Sequence, residues 1–159
     1  MEPIRVVWGT GRGPTALSAY DAALADANVH EYNLLQLSSV VPSGATIETP
    51  GTAPDLGPAG GELRTVEAAA TTDAGPVSAA LAWQRRADGS GIFYEAEAET
   101  EAGRVVDQVR TGLSAGVDLR QGEFADPSVQ TVTTTAAEHD AEHAAAAVLA
   151  VYGTATPIL

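Results

Sequence analysis

Several groups of residues in this sequence are of types and spacings that could do chemistry. Ser38 and Ser39 are adjacent hydroxyls within LSSVVP (37–42), with Asn33 six residues and Asp21 eighteen residues before Ser39. Glu95, Glu97, Glu99 and Glu101 alternate, so a strand would set them on one face. Most of these read as a solvated acidic face. Glu95 stands apart, because Ile92-Phe93-Tyr94 precedes it directly and should place it deepest. His139 and His143 are four apart, a spacing that on a helix could present both to one metal ion. No third ligand accompanies them, so they read as solvated histidines and no metal is expected. GTGRGP (9–14) follows an apolar run and precedes a helical pattern, which is where phosphates bind. Its third glycine comes one residue too early for G-x-G-x-x-G and a proline follows, so a tight structural turn is favoured over a nucleotide loop.

Composition removes other chemistries. The 159 residues contain no cysteine, which excludes disulfides, thiol catalysis and cysteine-held metal clusters. All eight basic residues are arginine. Without lysine there is no Walker A site and no lysine Schiff base, hence no pyridoxal phosphate held in the usual way. Eight basic residues face 21 acidic ones, for a net charge of −13. A nucleic-acid partner would need a basic footprint that is missing here. Acidity on this scale, with no lysine, many small residues and few aromatics, suggests adaptation to high salt, where carboxylate repulsion is screened. No apolar run reaches the ~20 residues of a membrane span, and the first residues lack the basic and apolar regions of a secretory signal. A cytoplasmic location without a membrane partner is expected.

The elements that must position these residues can be read from periodicity. IRVVW (4–8) is a short buried strand, GTGRG (9–13) a turn, and Pro14 the first position of a helix over 14–27. In that helix Leu17, Asp21 and Leu24 stand at i, i+4 and i+7, placing one carboxylate within an apolar stripe expected to face inward. Asn33 to Leu37 reads as another buried strand, and Pro42 with Gly44 as a turn. Residues 50–61 form a Pro/Gly-rich loop, either a cover or a plain connection. Residues 62–71, 77–86 and 92–99 read as strands, the last two joined by a hairpin at Ala-Asp-Gly-Ser-Gly (87–91). Val105, Val106, Val109 and Leu113 give 104–116 a helical period, and 129–135 is β-rich. HAAAAVLAVYG (143–153) fits either a buried strand or an alanine-rich helix. No internal repeat or second domain is evident, so one domain over 1–159 is expected.

The Y-D-A-A-L helix, N-L-L-Q-L-S-S-V-V-P, the G-I-F-Y-E strand and the final A-A-A-A-V-L-A-V-Y run together resemble the pyruvoyl-dependent arginine decarboxylase family. The match is loosest at Glu95, where Ala96 replaces the aromatic that usually follows. The resemblance implies an α+β fold, an αββα sandwich of the pyruvoyl-dependent decarboxylase type, assembled as a homotrimer with sites between subunits. It implies that the Ser38–Ser39 bond is cleaved by the chain itself, leaving a β chain 1–38 and an α chain 39–159. Ser39 would become the covalent pyruvoyl cofactor, whose carbonyl forms an imine with the substrate amine in place of pyridoxal phosphate. The reaction implied is L-arginine to agmatine and CO2, an early step toward polyamines in archaea.

Site roles follow from the same resemblance. Ser38 supplies the attacked carbonyl, Asn33 assists processing and lines the site, and Glu95 protonates the carbon that loses CO2. Asp21 receives the guanidinium, while Leu17 and Leu24 line its channel. Asp21 could instead pair with a protein arginine such as Arg5 or Arg12. The same chemistry on another amino acid, an unprocessed family member acting in assembly or regulation, and a nucleotide binder remain alternatives.

Overall fold

The computed structural model describes residues 1–137 and 141–159. Its elements run β1 (Ile4–Gly13), α1 (Ala16–Asp26), β2 (Asn33–Gln36), β3 (Val40–Val41), β4 (Ile47–Gly51), β5 (Glu62–Thr72), β6 (Gly75–Arg85), β7 (Gly91–Ala98), α2 (Ala102–Asp118), β8 (Ser128–Ala136) and β9 (His143–Thr156). The fold is α+β, with two sheets and two helices. One sheet has the order β2-β5-β9-β1-β4 and the other β3-β7-β6-β8.

The run at 143–153 is a strand. β9 lies between β1 and β5, antiparallel to both. Ala144 through Val151 have no exposed surface. Ala144, Ala146, Val148 and Ala150 face the core shared by the two sheets. Ala145, Ala147, Leu149 and Val151 face the core beneath α1. A strand paired on both edges and covered on both faces must be apolar throughout, and this environment overrides the helical preference of alanine. A third core packs α2, through Val105, Val109 and Leu113, against Ala80, Ala82 and Ile92.

The glycine segment is not a turn. β1 continues through Gly13, paired residue by residue with β9 down to Gly13 opposite His143. Gly9, Gly11 and Gly13 alternate along the strand and so share the face on which α1 lies. A Cβ on Gly11 would meet backbone atoms of Ala19, Ala22 and Ala23. The glycines therefore serve close helix–strand approach rather than anion binding. Pro14 precedes the helix instead of opening it. Thr15 is the N-cap, in a capping box with Ser18.

Close approach also reorients α1. Its buried residues are Ala19, Ala23 and Leu24, small enough to lie on a glycine surface. The expected inward stripe is corrected accordingly: Leu24 is buried, but Leu17 is 74% exposed and Asp21 is exposed. β2, expected to be buried, is an edge strand parallel to β5, with Asn33, Leu35 and Gln36 exposed. The 52–61 loop is a cover. Ala53 and Leu56 are buried in the core beneath α1, and the Ala53 N–H donates to Ala27 O at 3.0 Å.

The glycine contact yields a prediction. Gly11→Ala should lower unfolding stability by about 1–3 kcal/mol, as overpacking against backbone does. Gly103→Ala, where nothing lies within 4 Å of the added carbon, should be neutral or raise it by up to about 1 kcal/mol. Denaturant unfolding of the two variants at constant salt measures the difference.

Candidate active site

Ser38 and Ser39 occupy the passage of the chain from one sheet to the other. Just before them β2 ends on β5, where the Leu37 N–H donates to Thr65 O at 2.8 Å. Just after them β3 pairs with β7, Val40 opposite Ile92. Between these anchors Ser39 adopts φ +67°. Left-handed backbone in a residue with a Cβ costs on the order of 1–3 kcal/mol and persists only where its surroundings impose it. Here the Phe93 N–H holds Ser39 O at 2.8 Å, and the Tyr152 hydroxyl holds Val40 O at 3.0 Å.

The Ser39 hydroxyl donates to Glu95 Oε2 at 3.3 Å. Ser38, Ser39, Phe93, Tyr94, Glu95 and Arg120 are among the residues lining a cavity of about 350 Å³. Phe93 is 1% exposed and fixes the floor of β7 against Trp83 and Tyr152, with ring centroids 5.6 and 6.3 Å away. Two residues on, Glu95 points to the same side of the strand.

Glu95 lies at much the same depth as Glu97. Both it and Glu97 are exposed, because β3 covers β7 only opposite Gly91 and Ile92 and leaves the rest of that edge open. Partial burial of its carboxyl nevertheless pushes its pKa up, against the opposing hydrogen bond from Ser39. Glu97 is also raised, by burial first and then by the charges of Glu95 and Glu67. Tyr152 is raised by burial and by the charge on Glu95, which keeps its hydroxyl a donor to Val40.

The other expected residues lie elsewhere in the chain. Asp21 and Leu17 line a separate surface cavity with Thr15, Ser18 and Tyr20. Leu24 packs into the core beneath α1. Asp21 makes no ion pair among the described residues. Arg5 instead approaches Glu2 and Glu48, and Arg12 donates to Thr135 O. Asn33 does not line the Ser39 cavity. Its amide donates to Gly60 O at 2.8 Å, at the far end of β2. The physical reason is distance along the chain, since six extended residues span about 20 Å. His143 opens β9 and His139 lies outside the described residues. No cluster of three potential metal ligands occurs among the described residues.

Two contributors were not anticipated from the sequence. Tyr152 sits in an apolar run that suggests only core, and Arg120 belongs to no motif. The helical period of α2, extended two residues past its end, was the one available pointer to Arg120.

Hydroxyl, strained peptide and raised carboxyl together suit a backbone rearrangement at Ser39 followed by acid–base chemistry in the same cavity. The family model for pyruvoyl-dependent arginine decarboxylase matches residues 3–157. A protein named pyruvoyl-dependent arginine decarboxylase from Halobacterium salinarum is 54% identical over 161 residues, covering 99% of this chain and 98% of that one. A protein of the same name from Methanopyrus kandleri is 32% identical over 147 residues, covering 92% of this chain and 93% of that one. From residue 3 nearly to its last residue, then, this chain belongs to the pyruvoyl-dependent arginine decarboxylase family.

Proposed function

We propose that the chain cleaves itself between Ser38 and Ser39 and then decarboxylates L-arginine to agmatine and CO2. The observation that carries this reading is Ser39 itself: a non-glycine residue at φ +67°, at the crossing between sheets, with its hydroxyl on Glu95. In processing, Ser39 Oγ attacks the Ser38 carbonyl carbon and the Ser38–Ser39 C–N bond breaks, giving an ester and a free amine. β-Elimination breaks the ester C–O bond, releases the Ser38 carboxylate and leaves dehydroalanine at residue 39. Hydrolysis consumes one water and releases ammonia, leaving a pyruvoyl group. The products are one domain in two pieces, residues 1–38 and the remaining 159 − 38 = 121 residues.

The residues present fit that group, since the strained bend and the cavity meet at Ser39. It supplies the electron-accepting carbonyl that an amino-acid decarboxylation needs. Glu95, its proton retained to higher pH by burial, donates that proton to the substrate carbon after CO2 leaves. Asn33 acts on processing by anchoring the start of β2, and so the entry to the bend.

Asp21 accepts the substrate guanidinium and Leu17 lines its path. Within one protomer their cavity is separate from that of Ser39, and Leu17 is uncovered. Both facts support a homotrimer in which one copy brings Asp21 and Leu17 to the Ser39 of another. The layering, α1 on one sheet, the sheets face to face and α2 on the other, supports the αββα sandwich of the pyruvoyl-dependent decarboxylase type. The net charge of −13 without lysine supports a halophilic protein. No described helix is long and apolar enough to cross a membrane.

Denaturing mass analysis should show two chains, the larger blocked at its N-terminus by a borohydride-reducible ketone. Ser39→Ala should remain whole. A single intact wild-type chain from a folded preparation would mark an unprocessed family member and refute the reading.

Glu95→Gln should process normally and lose turnover by about 10²–10⁴-fold, the usual worth of one positioned acid. The wild-type rate should fall as pH rises through the raised Glu95 pKa, because only the protonated form can donate. A pH–rate profile of both proteins checks this; Glu97→Gln as the crippled variant would move the acid one repeat along β7.

Asp21→Asn should process normally but raise KM for arginine at least about tenfold, roughly 1.4 kcal/mol of lost binding. Steady-state kinetics with arginine measure it, and an unchanged KM would remove Asp21 from substrate recognition.

A further inference from the structure

An amino-acid decarboxylase must hold the α-carboxylate that it will expel. Neither Glu95 nor Asp21 can do so, since both are acids. Arg120 is the one cation among the described residues lining the Ser39 cavity.

Its position is built by α2. Gly112 and Gly116 let this helix close on Tyr94, whose ring a Cβ on Gly116 would strike. Tyr94 also lines the cavity, so the same contact sets the end of α2 at the cavity wall. Beyond that end, the Arg120 N–H donates to Val117 O at 2.9 Å and Nη1 donates to Gly116 O at 2.7 Å. The rest of the guanidinium fork makes no hydrogen bond among the described residues. Nor does Arg120 form an ion pair there: the arginines that do are Arg5, Arg64 and Arg104. Glu95 shares the cavity with Arg120 without closing on it, which leaves room for a ligand between them.

We propose that Arg120 binds the α-carboxylate of the substrate in the Ser39 cavity. The proposal rests on the reading of this chain as an arginine decarboxylase and adds the group that orients the carboxylate. A guanidinium offers a planar pair of donors matched to a carboxylate. That carboxylate exists in the substrate and is gone from the product amine. The interaction therefore contributes to substrate binding and fades as CO2 departs, so it acts on KM more than on kcat. Ser38 acquires a carboxylate in the same cavity once the chain is cleaved, and the experiment separates the two sources.

Arg120→Gln and Arg120→Lys are compared with wild type after intact mass has established the extent of cleavage. Initial rates supply KM and kcat for arginine. Calorimetry supplies Kd for agmatine, which has the same guanidinium and amine but no carboxylate. Arg120→Gln should raise KM at least about tenfold with kcat within about threefold, and Arg120→Lys should restore part of it. The Kd for agmatine should stay within about twofold of wild type, since the lost contact is absent from the product. Equal weakening of arginine and agmatine would overturn the proposal and make Arg120 a cap on α2. Unchanged KM with incomplete cleavage, or with loss of the 1–38 segment, would also overturn it and assign the guanidinium to Ser38. A processed wild-type chain that does not turn over arginine would refute the functional reading itself, an outcome visible before any Arg120 variant is compared.

Discussion

The site depends on one constraint: the backbone leaves one sheet and enters the other within a few residues. Leu37 is hydrogen-bonded to β5 and Ser39 to β7, so the two sides of Ser38–Ser39 belong to different sheets. The sheets are held face to face by an apolar core that includes Val6, Val66 and Val148 from one and Leu81, Trp83 and Phe93 from the other. The bend cannot relax without disturbing that core. Left-handed φ at Ser39 is thus paid for by packing elsewhere, as strain at functional sites generally is. Tyr152 adds a direct tie, reaching from β9 in one sheet to the Val40 carbonyl in the other.

Small residues make this layering possible. Alternating glycines on β1 admit α1 at close range, and alanines fill both faces of β9. α2 repeats the device with Gly112 and Gly116 over Tyr94. The consequence for the site is indirect but definite. Turned to put Ala19 and Ala23 on the glycine face, α1 presents Leu17 and Asp21 outward. With α2 closed on Tyr94, its final residues, and Arg120 after them, arrive at the cavity.

Electrostatics are distributed in the same economical way. Ion pairs such as Arg104–Glu101 and Arg64–Glu62 lie at the surface, where each contributes ~0–1 kcal/mol. Arg12, Arg85, Arg86 and Arg120 donate chiefly to backbone carbonyls, those of β8, of the 86–90 turn, of the segment after α2 and of α2 itself. The carboxylates of β7 are left facing one another and partly buried. Burial raises the proton affinity of both; the charges of Glu95 and Glu67 add to it at Glu97, whereas the hydrogen bond from Ser39 opposes it at Glu95.

The strands at 62–72, 75–85 and 91–98 and the helix at 102–118 were legible because period-2 and period-3.6 patterns report which faces are buried. Ser38–Ser39 and Glu95 stood out through the resemblance of their surrounding motifs to a known family, and the structure brings the Ser39 hydroxyl onto Glu95. By itself the sequence also determined the absence of cysteine and lysine chemistry. It did not determine the glycine segment, since G-x-G-x-G serves a turn and a close-packed strand equally and only the helix lying on it distinguishes them. The orientation of α1 and the strand character of 143–156 were likewise undecided, because alanine is compatible with helix and strand, and with buried and exposed positions. Tertiary structure decided these, along with the separation of Asp21 and Asn33 from the Ser39 cavity and the arrival of Arg120 within it. These depend on which elements lie against one another and how closely, down to the exclusion of a Cβ where a helix meets glycine, a property of pairs of elements that no single segment carries.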